Sequence, residues 1–159
     1  MPEARLRIVG AGPLGAQLTA LATSLGIAAS VEFIEPTDQI EALYREAAVF
    51  VLSSRYEGMP LALLEAQALG VPAVAFDCPT GPREILSEAT GVLVPSGDVP
   101  ALAQAMLRLL RDPALRARMG AAGIARDREI FSRARQVGAW AALIDEVATA
   151  AGEPVPTIR

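Results

Sequence analysis

The run Ala48-Val-Phe-Val-Leu-Ser53-Ser-Arg-Tyr-Glu57-Gly-Met-Pro60-Leu-Ala-Leu-Leu-Glu65-Ala-Gln-Ala-Leu-Gly70-Val-Pro-Ala73-Val-Ala-Phe-Asp77 reads as strand, loop, helix and strand. Its two apolar runs are short and rich in branched or aromatic residues, which suits strands buried on both faces. Between them, Pro60 is a favoured first-turn residue and Gly70 a typical residue just past a helix C-terminus, so they bracket one helix. Strand, helix and strand in this order make a parallel crossover unit.

The same alternation extends in both directions. Strands are expected at Leu6 to Gly10, Val31 to Glu35, Ala48 to Ser53, Ala73 to Asp77 and Gly91 to Pro95. Helices fill the gaps: one from Pro13 to Gly26, one capped by Thr37 or Asp38, one from Pro60 to Gly70 and a short one from Pro82. From Asp98 the strand signals stop, and three helices are expected near Val99 to Leu110, Ala114 to Arg126 and Arg133 to Ala150, with Asp98 and Ser132 as caps. The pattern predicts an α/β fold: a doubly wound parallel sheet with a helical C-terminal end, forming a single domain over residues 1–150. Residues 151–159, with Pro154 and Pro156, are expected to be extended or disordered.

Composition removes many chemistries. There is no histidine, which excludes a histidine base, a Ser-His-Asp triad and His-ligated zinc within this chain. All 14 basic residues are arginine, so there is no P-loop lysine and no Schiff-base amine. A net charge of −4 argues against a nucleic-acid surface, and the arginines between positions 108 and 135 read as a solvated helix face. No apolar run approaches the ~20 residues of a membrane span. The lone Cys78 gives neither a disulfide nor a metal-ligand spacing, and no export signal opens the chain, so a cytoplasmic setting is expected.

Two stretches are candidate sites. Gly10-Ala-Gly12-Pro-Leu-Gly15 satisfies G-x-G-x-x-G at a strand-to-helix turn, and Glu35 ends the following strand. This is the dinucleotide fingerprint, and it supports an NAD(P)-binding oxidoreductase domain as an alternative reading. Pro13 weakens it, because it removes an N–H from the turn where an anion collects donors. In the second stretch, Glu57 lies in the loop before a helix whose free first-turn amides favour a diphosphate, and Glu65 lies eight positions further on. Leu61, Glu65 and Ala68 share a helix face, so Glu65 is expected to point where an apolar residue would pack and to need hydroxyl partners there. Asp77-Cys-Pro-Thr80-Gly81-Pro-Arg-Glu84 supplies a second glycine-containing loop at the same sheet edge, where open α/β sheets bind ligands.

From Arg55 to Ile85 the chain resembles the E-x7-E region of family 4 retaining glycosyltransferases of the GT-B type, and the order of flanking elements is also similar from residue 5 to about residue 145. The resemblance implies the Rossmann-like C-terminal, donor-binding domain of such an enzyme. It implies a nucleoside-diphosphate sugar, of the UDP class from the D-x-P-x-G-P-x-E loop, with no metal or other cofactor. By the same resemblance Glu57 contacts the donor sugar near the reacting centre and Glu65 the ribose. Gly58 and Met59 to Leu61, including Pro60, face the sugar and diphosphate; Ile34 and Glu35 border the base; Thr80 and Gly81 line the pocket. The family's segment with an arginine and a lysine ahead of Leu6, its first strand and helix and its acceptor domain have no counterpart here. A truncated donor half, inactive alone, is therefore expected, its glycan or lipid-linked acceptor and any membrane contact belonging to the missing half. A non-catalytic nucleotide-sugar-binding module is a further alternative. Without the central strand, Leu6 to Gly10 is expected to pair with Ala48 to Ser53, or the chain to be poorly stable.

Overall fold

The computed structural model describes residues 4–151. It divides into two compact units, Met1–Ala42 and Leu43–Arg159. Of the expected tail over residues 151–159, Ala151 instead ends the last helix, and residues 152–159 lie outside the described residues.

In the first unit, β1 (Leu6–Val9) pairs in parallel with β2 (Val31–Ile34), with Leu6 opposite Val31 and Val9 opposite Ile34. The connection runs through α1 (Gly15–Ser24) and a 3-10 turn, Ala28–Ser30. α1 starts two residues later than Pro13 suggested, because Leu14, at φ −92 and ψ 1, is not yet helical. The expectation that these strands are buried on both faces fails. Leu6, Val9 and Phe33 are exposed, as are Leu14, Leu18, Leu21 and Leu25, which repeat along one stripe of α1. A two-stranded pair with one ten-residue helix offers too little surface to cover them. β1 bonds to β2 in a sheet of two strands.

α2 (Ile40–Glu46) leads into the second unit, whose sheet has the order β3 (Phe50–Leu52), β4 (Ala73–Asp77), β5 (Gly91–Pro95), all parallel. β3 is shorter than the Ala48 to Ser53 expected from sequence. Central β4 alternates: Val74 and Phe76 join Val94, Leu102, Leu109 and Met119 in one core cluster. Ala73 and Ala75 join Leu63, Ile85 and Leu86 in the other. The first cluster is closed by α5 (Val99–Arg111) and α6 (Pro113–Arg126), the second by α3 (Leu61–Ala68) and α4 (Pro82–Ile85). Asp98, the expected cap, accepts from the Ala101 N–H at 2.9 Å, and Asp112, which the sequence reading did not name, accepts from that of Leu115 at 2.8 Å. After a π turn at Asp127–Phe131 comes α7 (Arg133–Ala151), to which Ser132 contributes its carbonyl, accepting from Gln136 N–H at 3.0 Å. No helix among the described residues is long and apolar enough to cross a membrane.

α3 and α6 approach through glycine. A Cβ on Gly120 would strike the Gly70 carbonyl oxygen, and one on Gly123 would come within 3.0 Å of Gln67 Cγ. Two arginines from the stretch read as a solvated face have structural work instead. Arg116 Nη1 donates to the Leu109 and Leu110 carbonyls at 2.7 and 2.9 Å, closing the open end of α5. Arg126 Nε donates to Ile85 O at 2.8 Å and its Nη2 to Glu84 O at 2.9 Å, doing the same for α4. Arg108, Arg111, Arg118, Arg128, Arg133 and Arg135 are exposed, as expected.

Candidate functional site

β3 and β4 are parallel neighbours, so the loops that follow Leu52 and Asp77 leave the same edge of the sheet. The two loops are interlocked. The Thr80 hydroxyl lies within hydrogen-bonding range of the Glu57 carbonyl and, at 2.7 Å, of the Pro79 carbonyl; its single hydrogen serves one acceptor at a time. Beside it a Cβ on Gly81 would strike Pro60 Cδ and come within 3.0 Å of the Gly58 carbonyl oxygen. Gly81 sits at φ +77, ψ −74, and Thr80 at φ +63, the only non-glycine with positive φ among the described residues. A β-branched residue in that region is disfavoured by its own Cβ, so contacts around it must hold it there.

The second loop is clamped at its ends. Arg83 forks onto Asp77, with Nε donating to Oδ1 at 3.0 Å and Nη2 donating to Oδ2. The guanidinium hydrogen bond holds the Asp77 carboxyl below its usual range, against a smaller opposing effect of burial, and raises Arg83 in return. Arg126 fixes the far end of the same segment through the Glu84 and Ile85 carbonyls.

α3 opens beneath the first loop. Its N-cap is Pro60, which has no side-chain acceptor to offer, so the Leu61 and Ala62 N–H groups have no partner inside the helix. Gly58, Met59 and Leu61 are exposed, Pro60 is buried and Glu57 is half-buried. Glu65 does not occupy a core position as expected: it is exposed, together with Leu61 and Ala68, while Leu63, Ala66 and Gln67 form the buried side. α3 is apolar nearly all round, so its sequence could not say which side would be covered. Glu65 does have a partner, missed by sequence reasoning: the phenol of buried Tyr44, on α2, donates to Glu65 Oε2 at 3.0 Å. Burial first, then the hydrogen bond and charge of Glu65, push the Tyr44 phenol up to about 12.

The structure thus brings Glu57, Gly58, Pro60, Thr80 and Gly81 together, with Met59, Leu61 and Glu65 on the same loop and helix. Ile34 and Glu35 belong to the first unit, where Ile34 ends β2 and its carbonyl accepts from Gly10 N–H at 2.8 Å. Gly10, at φ +136, turns the chain there, whereas a Cβ at Gly12 or Gly15 would meet nothing within 4 Å. The glycine run therefore serves no close packing.

The family model described as glycosyl transferases group 1 matches residues 1–126. An exopolysaccharide phosphotransferase of Streptomyces coelicolor is 46% identical over 116 residues, 72% of this chain and 12% of that protein. A GDP-mannose-dependent alpha-(1-6)-phosphatidylinositol monomannoside mannosyltransferase of Mycolicibacterium smegmatis is 37% identical over 132 residues, 77% of this chain and 35% of the relative. Among solved structures, sucrose-phosphate synthase from Thermosynechococcus elongatus superposes with a TM-score of 0.81 at 30% identity, over 92% of this chain and 39% of that one. The chain spans well under half the length of each. Two parallel sheets flanked by helices, the Rossmann-like architecture of these neighbours, and a family match that takes in most of the sequence agree: the chain belongs to the glycosyl transferases group 1 family.

Proposed function

We propose that residues 1–150 are the donor-binding domain of a retaining glycosyltransferase and bind a nucleoside-diphosphate sugar, of the UDP class, at the interlocked loops of the second unit. The observation that carries this reading is the join of Thr80 and Gly81 to Glu57, Gly58 and Pro60 at the start of α3, whose first turn has no side-chain cap. Its first-turn amides and the helix dipole favour a diphosphate, the exposed carboxylate of Glu65 accepts from ribose hydroxyls, and Glu57 stands beside the sugar. Gly58, Met59 and Leu61 leave room for the sugar and phosphates, with Thr80 and Gly81 as the opposite wall.

In the reaction, the bond from the anomeric carbon to the diphosphate oxygen breaks and the acceptor oxygen takes its place with retained configuration. Negative charge gathers on the leaving phosphate, where fixed N–H groups stabilise it without a metal. The acceptor, a glycan or a lipid-linked sugar, is engaged at the level of the longer relatives, and these 159 residues alone bind donor without transferring its sugar. Calorimetric titration with UDP, GDP and NADH tests the proposal. Saturable binding of UDP or GDP that Glu65→Ala removes, with no response to NADH, is the expected result; NADH binding with neither diphosphate bound refutes it.

A further inference from the structure

A carboxylate on an exposed helix face is ordinarily free to sample several rotamers, and ordering it on a ligand costs side-chain entropy. Glu65 is held in advance. Tyr44 is 7% exposed, its ring lies 5.9 Å from that of Phe50 at 58°, and its hydroxyl donates to Oε2 of Glu65 at 3.0 Å. A position needing only apolar bulk beside Phe50 would be filled as well by phenylalanine. The tyrosine instead carries its hydroxyl through the packed layer to a carboxylate that is itself open to solvent. Oε2 is occupied on one side, and Oε1 keeps its full accepting capacity.

We propose that Tyr44 is a positioning residue that aims Glu65 at the vicinal hydroxyls of the nucleoside and so makes the site prefer ribose over 2′-deoxyribose. The assignment rests on the reading of Glu65 as the ribose contact. An ionised carboxylate only accepts, and two adjacent hydroxyls only donate to it in one orientation, so fixing the carboxylate rewards a ligand that has both. Removing the phenol hydroxyl leaves packing with Phe50 intact and returns the rotational freedom to Glu65. The loss then falls on ligands whose ribose uses that carboxylate, which a merely structural role for Tyr44 would not produce.

The test is titration of the 159-residue chain with UDP and GDP and with their 2′-deoxy counterparts. Tyr44→Phe is expected to weaken the bound ribonucleotide about five- to tenfold, the size of one hydrogen bond, and its deoxy form less than about twofold. In a Glu65→Gln background the Tyr44→Phe change is expected to have no further effect. Glu65→Asp, which draws the carboxylate back from an unaltered Tyr44, gives a second route to the same loss of discrimination. Equal weakening of ribo and deoxy ligands by Tyr44→Phe, or none, overturns the role of Tyr44 while leaving the Glu65 contact in place. Undiminished ribonucleotide binding by Glu65→Gln overturns the Glu65 reading and, with it, this assignment.

Discussion

Gly81→Ala perturbs the contact on which the site is built. The position costs twice. At φ +77 and ψ −74, a combination that L-residues rarely adopt, alanine carries about 1 to 2 kcal/mol of conformational strain. The new methyl group must also displace Pro60 and the Gly58 carbonyl, neither of which is the free end of a flexible side chain, adding about 1 to 3 kcal/mol of overpacking. The sum is about 2 to 5 kcal/mol. Gly97→Ala separates the parts, since Gly97 has φ +81 but a Cβ there would meet nothing within 4 Å, so only the first cost of about 1 to 2 kcal/mol applies. Urea unfolding followed by circular dichroism measures both variants, and nucleotide titration under native conditions reads whether the two loops still present one surface. Gly81→Ala is expected to lose at least about 1 kcal/mol more than Gly97→Ala and to bind nucleotide more weakly. Equal destabilisation of the two variants refutes the interlock.

Three further outcomes follow from the same geometry. Because the folded state raises the Tyr44 phenol from 10.0 to about 12, the protonated form stabilises the fold below pH 10 and that contribution is lost as pH rises through 12. Alkaline unfolding should lose about 2 to 3 kcal/mol across that window, and Tyr44→Phe should flatten it. Asp77 behaves in the opposite sense: its carboxyl is held below the ordinary 3.8, so its stabilisation is present above that value and fades as pH falls beneath it. Asp77→Asn should therefore lessen the acid dependence of stability, measured by thermal melts from pH 5 downward. Arg126→Ala leaves the Glu84 and Ile85 carbonyls without their donor and should cost about 1 to 3 kcal/mol in urea unfolding, with Arg126→Lys restoring part of it.

β4 was legible because a run buried on both faces needs no periodicity to be recognised, and Val74 with Phe76, against Ala73 with Ala75, do serve two different clusters. Asp98 was legible because an N-cap is local chemistry, as its bond to Ala101 N–H shows. The loops at Glu57 and Thr80 could be placed at one edge from strand order alone, but their interlock could not, since it depends on tertiary approach at Gly81. The face of α3 was misjudged because Leu61 to Ala68 offers apolar residues on every side; exposed Glu65 follows polarity, while buried Gln67 departs from it. β1 and β2 were read as doubly buried from composition, which records what a strand is suited to and not whether a covering layer exists. The Tyr44 to Glu65 bond joins positions 21 residues apart on different helices, and the arginine caps at Arg116 and Arg126 likewise arise from packing.

A crystal structure of the chain with UDP or GDP bound tests the central claim most directly. The account predicts the diphosphate at the Leu61 and Ala62 amides of α3, the ribose on Glu65, and Thr80 and Gly81 forming the facing wall. A nucleotide lying instead on the Gly10 to Gly15 turn with its ribose on Glu35 would contradict it.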